Sequence, residues 1–275
     1  MARPNTPEDP LVSTVTPSYN SARTVEILLS SIKKQTYSNI ETIIVDNYSK
    51  DSTLEIGKKY GASVISSKCG RSEARNIGAK CAKGDYLLFL DSDLELTPFV
   101  VERCVRVCEA NKLSGIIIPE ESKGNSFWAK CRSLEKLAYL NDKHKISILF
   151  MRKSVFDDLK GYDENLVAAE DYDLNMRFYE RGYKCTMINV VMYHHEVTSL
   201  FDLLKKSYKY GKTMPSYIKK RPRNFMEQFF PIRLSYFSGE QSLAGNSIYM
   251  LGIATMKTLQ YLAAILGVLA SKFIH

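Results

Sequence analysis

Gly84-Asp85-Tyr86-Leu87-Leu88-Phe89-Leu90-Asp91-Ser92-Asp93 is the stretch on which the reading of this chain turns. Tyr86 to Leu90 is a short apolar run bounded by glycine and acids, the pattern of a buried strand and too short for a core helix. Two carboxylates one residue apart follow it directly. Placed just past a buried strand, one can reach a divalent cation while the other meets a ribose or a water on the ion. By itself such a triplet is also a common strand ending, since Asp and Ser favour turns. Its neighbours in sequence decide between the two.

Leu11 to Thr16, Ile40 to Asp46 and Ala62 to Ile65 upstream, and Gly115 to Ile118 downstream, read as further short strands. Ser21 to Gln35, Ser52 to Tyr60, Ser72 to Ala82 and Thr97 to Ala110 read as intervening helices, the last with Thr97 as cap and Pro98 at its first position. This alternation predicts an α/β fold with a largely parallel sheet, whose ligands collect beyond the carboxyl ends of the strands. The residues there are polar: Thr16-Pro17-Ser18-Tyr19-Asn20, Asp46-Asn47-Tyr48-Ser49 and Asp91-Ser92-Asp93. Neither a GxGxxG nor a GxxxxGK loop occurs, which argues against a dinucleotide-binding or P-loop enzyme. After Pro119 the pattern is mixed. It runs through Trp128 and Arg132, an apolar run Ile146 to Met151, a helix with Glu170, Asp171, Asp173 and Arg177, and a strand-like run Lys184 to Tyr193 ending in His194-His195.

The 275 residues are 45% hydrophobic, enough for one large α/β domain or two small ones. The formal net charge of +8 has a local origin. Lys205, Lys206, Lys209, Lys212, Lys219, Lys220, Arg221 and Arg223 lie together without an acid, and removing these eight from the 38 basic residues leaves 30 against 30 acids. Such a patch suits an anionic membrane, a phosphate-bearing ligand or nucleic acid, or is a solvated helix face. Ile248 to Ile274 follows, apolar but interrupted by Lys257, Gln260 and Lys272, and Tyr261 to Ala270 is its longest unbroken run. A helical span needs about 20 mostly apolar residues, so the tail reads as an amphipathic helix in the membrane interface; burial against the domain or in a dimer is the alternative. The six cysteines show no CxxC or Cys/His ligand spacing, which argues against zinc, and the helix-spaced Cys104 and Cys108 read as core packing. Met1 to Pro10 is polar rather than an apolar signal, so free thiols in a reducing cytosol are expected.

Three further groups bear chemistry. Glu170-Asp171 opens a helix, where its carboxylates either cap backbone donors or accept a proton from a substrate hydroxyl; Asp173 and Arg177 have the i, i+4 spacing of a surface ion pair. His194 and His195 alternate to opposite faces, so one of them can join a shared site, either as a structural residue or as a ligand beside the acidic triplet. Gly70-Arg71-Ser72-Glu73-Ala74-Arg75-Asn76 starts a helix, where backbone donors favour anions and arginine can fork onto a diphosphate; pairing of Arg75 with an acid is the alternative.

In order, TPSYN from Thr16, VDNYSKDST from Val45, GRSEARNIGAK from Gly70, GDYLLFLDSD from Gly84, FMRKSVFDDLKGYDENL from Phe150, EDYDLNMRFYERGYK from Glu170 and HHE from His194 resemble the family-2 glycosyltransferases of the GT-A fold. The resemblance covers roughly Leu11 to Lys212. It implies an inverting enzyme that uses a nucleotide-activated sugar, on a Rossmann-like, mostly parallel mixed sheet with flanking helices. The expected organisation is a tail over 1–10, a catalytic domain over 11–212 with a nucleotide-sugar half (11–119) and an acceptor half (120–212), and basic and apolar membrane-associating helices over 213–275.

By that resemblance Thr16, Pro17 and Tyr19 line the base pocket, Asp46 contacts the base, and Arg75, with Arg71, lies near the nucleotide. Asp91 and Ser92 stand by the ribose and metal waters, and Asp93 binds a divalent ion, Mn or Mg, with His194 rather than His195 as partner. Asp171 matches the catalytic base: it takes the acceptor hydroxyl's proton as that oxygen attacks the anomeric carbon opposite the leaving nucleotide, which inverts the centre. Trp128, Arg132 and Glu170 are expected on the acceptor side. A polyprenyl phosphate is already ionised and needs no base, so Glu170-Asp171 favours a hydroxyl acceptor. Together with the basic stretch and apolar tail, this predicts a lipid-linked sugar or membrane glycan, met at the cytoplasmic face by peripheral, monotopic attachment. UDP- and GDP-sugars are both open as donors.

Two other functions share parts of the pattern. A sugar-nucleotide nucleotidyltransferase also needs a nucleotide pocket and metal-binding carboxylates, but its glycine- and lysine-bearing triphosphate loop is missing. A non-catalytic glycan- or membrane-binding module keeps the fold without using Asp171. Nucleic acid is not an expected partner, because only the Lys205 to Arg223 stretch favours it.

Overall fold

The computed structural model describes residues 9–124, 126–138, 146–195, 199–223, 225 and 247–271. Glu196 of the HHE motif, most of the expected 1–10 tail and, within the expected C-terminal region, 224, 226–246 and 272–275 lie outside them. In chain order the elements are β1 (Val12–Ser18), α1 (Ala22–Lys33), β2 (Ile40–Asp46), α2 (Thr53–Lys59), β3 (Ser63–Ser66), α3 (Arg71–Cys81), β4 (Tyr86–Phe89), β5 (Leu94–Leu96), α4 (Val100–Ala110) and β6 (Gly115–Ile117). They continue with β7 (Glu120–Ser122), α5 (Phe127–Ala138), β8 (Ile148–Arg152), α6 (Lys153–Asp158), α7 (Glu170–Glu180), β9 (Cys185–Met187), β10 (Met192–His194), α8 (Leu200–Lys220) and α9 (Ser247–Ser271). The chain divides into two compact units, one of residues up to 120 with 147–164 and 174–194, the other of 121–146, 165–173 and 195 onward.

In the first unit a seven-stranded sheet has the order β3-β2-β1-β4-β8-β6-β9. β3, β2, β1 and β4 pair in parallel, β8 runs antiparallel between β4 and β6, and β9 is again parallel to β6. The sheet is thus mixed and mostly parallel, as expected. Val25, Leu28, Leu29 and Ile32 recur at helical spacing on α1, and Val101, Cys104, Val105 and Cys108 on α4; both faces join Ile44, Leu88 and Phe150 in one core. Cys104 and Cys108 are fully buried there, and all six cysteines are free thiols. Helix α3 lies close on β1 because position 78 is glycine, where a Cβ would sit 2.3 Å from Val15 Cγ1. A second sheet has the order β5-β10-β7, with His194 opposite Leu94 in antiparallel register.

Ile40–Asp46 forms the strand expected of it, and the other four expected strands lie within two residues of their predicted limits. Two local expectations are corrected. The fourth helix begins at Val100, not at Pro98, and Thr97 is not its cap, because the Thr97 hydroxyl donates instead to the Val191 carbonyl at 2.7 Å. The run Lys184 to Tyr193 is not one strand: it bends at Asn189, where the backbone changes partner from Ile117 O, bonded by Ile188 N–H, to Pro119 O, bonded by Met192 N–H.

In the second unit α9 packs against α5 and α8. A Cβ on Gly211 of α8 would fall 2.1 Å from Ala264 O, so the two backbones touch there, and one on Gly252 would meet Phe127 and Cys131 of α5 at 2.6 Å. Lys257, the charge that interrupts the apolar tail, points inward to Glu135 of α5 at 2.8 Å. Ile248, Leu251, Leu262, Ile265, Leu266 and Leu269 are exposed along the helix. By length and composition α9 could cross a membrane.

Candidate active site

The carboxyl ends of β1 and β2 are laced together by short polar bonds. Asp46, fully buried, accepts from Ser18 Oγ at 2.7 Å, from Ser49 N at 2.7 Å and from Ser49 Oγ at 2.5 Å. Asn20 and Tyr48 hold positive φ angles of 49° and 53° at these two turns, a conformation that non-glycine residues keep only where neighbours enforce it. Asn20 N–H donates to Ser49 Oγ, and Lys50 N–H donates back to Asn20 Oδ1, which supplies that enforcement. Thr16 is fully buried, Pro17 half-buried, and Tyr19 stands 59% exposed beside them. Of the residues expected to meet a base, Tyr19 therefore offers the accessible ring, while Asp46 fixes the loop.

At the end of β4 the acidic triplet is held on three sides. Asp91 Oδ1 lies 2.6 Å from the buried Arg75 guanidinium, which also stands 5.1 Å from the Tyr162 ring centroid. Burial pushes the Asp91 carboxyl up, but the Arg75 guanidinium, with Arg71 and His194, outweighs it and holds the group well below the usual carboxylate range. Ser92 Oγ bonds Ser21 Oγ at 2.9 Å, tying the triplet to the start of α1. Asp93 Oδ2 lies 3.1 Å from His194 Nε2, and His194 Nδ1 lies 3.3 Å from Glu120 Oε2. Asp93 and His194, distant in sequence, are thus brought together. Arg75 takes the alternative that the sequence left open, pairing with an acid. Asn76 is a brace for the Gly161-Tyr162 turn, accepting from Tyr162 N and donating to Tyr162 O and Glu164 Oε1.

The remaining expected residues belong to the second unit. Asp171 is half-buried in the first turn of α7, and its Oδ1 accepts from Tyr172 N at 2.9 Å. Glu170 is 1% exposed. Burial, reinforced by the Asp171 charge, pushes the Tyr172 phenol well above its ordinary value. Trp128 packs edge-on against Phe127, and Arg132 pairs with Glu135 at 2.8 Å. The expected Asp173–Arg177 surface pair does not form: Asp173 is fully buried between Lys220 at 3.0 Å and Arg221 at 3.1 Å, and Arg177 donates to the Leu159 carbonyl. Two cations of the basic stretch are therefore structural.

A cleft of about 560 Å³ in the first unit, lined by residues that include Arg23, Glu26, Lys34, Tyr60, Glu95 and Tyr193, contains none of the expected site residues.

Residues 13–195 match the family described as Glycosyl transferase family 2. The chain belongs to that family. A glycosyltransferase of Haemophilus influenzae is 32% identical over 180 residues, covering 61% of each chain. Glycosyltransferase AglE of Haloferax volcanii is 26% identical, over 74% of this chain and 72% of its own. Chondroitin synthase of Pasteurella multocida is 32% identical over 70% of this chain, which spans 22% of that longer protein. Among solved structures, the mannosyltransferase PcManGT of Pyrobaculum calidifontis, in complex with GDP-Man and Mn2+, superposes with a TM-score of 0.71 at 14% identity, covering 98% of this chain and 89% of its own. The GT-A-like fold follows from these likenesses.

A family-2 chain of this fold implies a divalent cation, and Asp93 with His194 fits one. Carboxylate oxygen and imidazole nitrogen are donors that suit Mn2+, and their 3.1 Å separation is that of adjacent ligands in an octahedron with bonds of about 2.1 Å. Among the described residues no three His, Cys, Asp or Glu side chains converge on one point. Held by two protein donors, such an ion would keep coordination positions for phosphates and waters. Sequence reasoning missed Glu120 at this centre. Its signal was present, since Glu120 directly follows the apolar run and Pro119, where strand-end polar residues are informative.

Proposed function

We propose that this family-2 chain transfers a sugar from a UDP- or GDP-sugar to a hydroxyl acceptor by a single, inverting displacement. The Asp93–His194 contact beside an ionised Asp91 is the observation that carries the reading. In it Thr16, Pro17, Tyr19 and the β1 and β2 turns receive the base, with Asp46 contacting it and holding those turns through Ser18 and Ser49. Arg71 and Arg75 act at the diphosphate end, Arg75 by keeping Asp91 charged; Asp91 and Ser92 face the ribose. Asp93 and His194 hold a divalent cation, Mn or Mg, which when bound offsets charge growing on the departing diphosphate. Asp171 accepts the acceptor proton at a carboxylate oxygen. A carboxylate is a weak base toward an alcohol, so the proton moves late, once the oxygen is bonding to carbon. Trp128, Arg132 and Glu170 shape the acceptor side. Neighbours solved in complex with GDP-Man and with UDP-GlcNAc support both donor classes as candidates.

In the same reading the acceptor is a lipid-linked sugar or membrane glycan, and the chain attaches peripherally to the cytoplasmic face. Two features support attachment rather than spanning. Crossing a bilayer would carry the Lys257–Glu135 pair into hydrocarbon, whereas α9 docked on α5 and α8 leaves Leu251, Leu262, Ile265 and Leu269 for the interface. Exposed Lys205, Lys206 and Lys209 on α8 complement anionic headgroups.

Release of nucleoside diphosphate from UDP- and GDP-sugars with Mn2+ or Mg2+ tests the chemistry. Wild-type chain turns over one donor class, and Asp171→Asn loses transfer while keeping nucleotide binding. Undiminished transfer by Asp171→Asn overturns the assignment of the base. Liposome flotation with and without residues 248–275 tests attachment, and equal flotation of both overturns it.

A further inference from the structure

His194 is the last residue of β10, and its backbone stands opposite Leu94, the residue that follows Asp93. The strand register therefore presents the imidazole to the acidic triplet, but it leaves rotation about the side-chain bonds and the choice of tautomer open. A neutral imidazole carries one N–H, and it ligates a cation through the nitrogen that lacks it. Which nitrogen this is depends on what the other one faces. Here Nε2 faces Asp93 at 3.1 Å and Nδ1 faces Glu120 at 3.3 Å, on opposite sides of the ring. His194 is 13% exposed in its side chain, so water competes little for either nitrogen.

Resting on the proposed metal role of Asp93 and His194, we propose that Glu120 is a positioning residue of this centre: its carboxylate holds the proton of His194 on Nδ1 and turns Nε2 toward the cation. An ionised carboxylate only accepts, so the tautomer with Nδ1–H is the one it stabilises. Metal-bound histidines very commonly donate their second N–H to a carboxylate in this way, which fixes the ring and raises its basicity as a ligand. Glu120 is not a third ligand. Its oxygen faces the far nitrogen, and among the described residues no three such groups converge on one point.

The strand positions add a physical reason for this residue. Asp93 precedes β5, His194 ends β10 and Glu120 begins β7, three strands of one small sheet with β10 in the middle. The central strand carries the imidazole, β7 carries Glu120 and the residue entering β5 is Asp93, so one acid lies toward each nitrogen. Replacing either acid leaves the backbone pairing intact, so the ring's orientation can be altered without unfolding the sheet.

Three measurements test the proposal. The chain has four histidines, so ring-nitrogen NMR of metal-free Asp93→Ala, in which Asp93 no longer competes for Nε2, reads the tautomer of His194 by comparison with Asp93→Ala/His194→Ala. The proposal expects Nδ1–H in Asp93→Ala and loss of that preference when Glu120→Ala is added; an Nε2–H ring in Asp93→Ala overturns it. Electron paramagnetic resonance titration with Mn2+, alone and with UDP or GDP, reads affinity. Glu120→Ala is expected to weaken it about 10- to 100-fold with an unchanged thermal midpoint, and Glu120→Gln, whose amide oxygen still accepts from Nδ1, less. Wild-type affinity in Glu120→Ala, with loss in Asp93→Ala and His194→Ala, overturns the role of Glu120 and leaves the ligand pair standing. Wild-type affinity in Asp93→Ala and His194→Ala overturns the ligand pair and the proposal with it.

Discussion

Asp91 and Asp93 in the first unit each keep 34% of their side chains exposed, whereas Glu135 and Asp173 in the second keep none. All four carboxylates lie within 3.1 Å of a cation or an imidazole. The buried pair are each enclosed by two cations, Glu135 by Arg132 and Lys257, and Asp173 by Lys220 and Arg221. The partly exposed pair each keep a side that solvent, and so a ligand, can reach. In the proposed function the same chemical group serves as reactant-facing chemistry in one region and as framework in the other, and water access separates the two roles.

The largest effect that would sharpen this contrast is Asp93→Ala, which should lower sugar transfer about a thousandfold, matching a loss of several kcal/mol of charge stabilisation. Its thermal midpoint should stay within about 2 °C of wild type, since the group is partly solvated. A collapsed midpoint with turnover retained would break the comparison. Next in size, Glu135→Leu removes the carboxylate that Arg132 and Lys257 enclose and should cost about 3–5 kcal/mol in urea unfolding, and adding Lys257→Met should restore a good part of it. An unchanged single variant would mean that Glu135 is not framework.

Acid titration gives a smaller, graded test. Burial pushes the Glu135 carboxyl up, but Lys257 and Arg132 prevail and bring it from 4.5 to about 2. A depressed carboxyl contributes stability that is present above its unfolded value and lost as pH falls through its folded one. The urea midpoint should accordingly hold its Glu135 contribution above about pH 4.5 and lose it on the way to pH 2, and Glu135→Leu should remove that part of the acid limb. The smallest effect belongs to the solvated face of α8. Lys209→Gln should change stability by less than about 0.5 kcal/mol, while weakening binding to phosphatidylserine vesicles by about 1 kcal/mol, roughly fivefold. Equal binding would remove Lys209 from the membrane-facing set.

Much of the first unit was legible from one dimension. Parallel strands buried on both faces carry continuous apolar runs, so Tyr86–Phe89 and the Ile43-Ile44-Val45 stretch of β2 announce themselves, and the polar residues after each run mark the ligand end of the sheet. Boundaries failed where a tertiary partner intervened. Thr97 has the right chemistry for a cap, but Val191, 94 residues away, takes its hydroxyl. Lys184 to Tyr193 has the composition of one strand, but Ile117 and Pro119 bond its two halves separately. Local spacing misled at Asp173 too: i, i+4 geometry permits the pair with Arg177, yet burial against Lys220 and Arg221 is the arrangement adopted.

By itself the sequence determined the alternation of strands and helices, the family, and the acidic triplet at the end of a buried strand. Periodicity and residue type carry that information because they act between near neighbours. Only the tertiary structure decided which charges are enclosed and which meet solvent. It set Glu120 behind His194, turned Lys257 inward and withdrew Lys220 and Arg221 from the basic face. Those pairings join residues tens of positions apart, 47 and 48 in the case of Asp173, and their strength depends on exclusion of water, which exists only once the chain has folded.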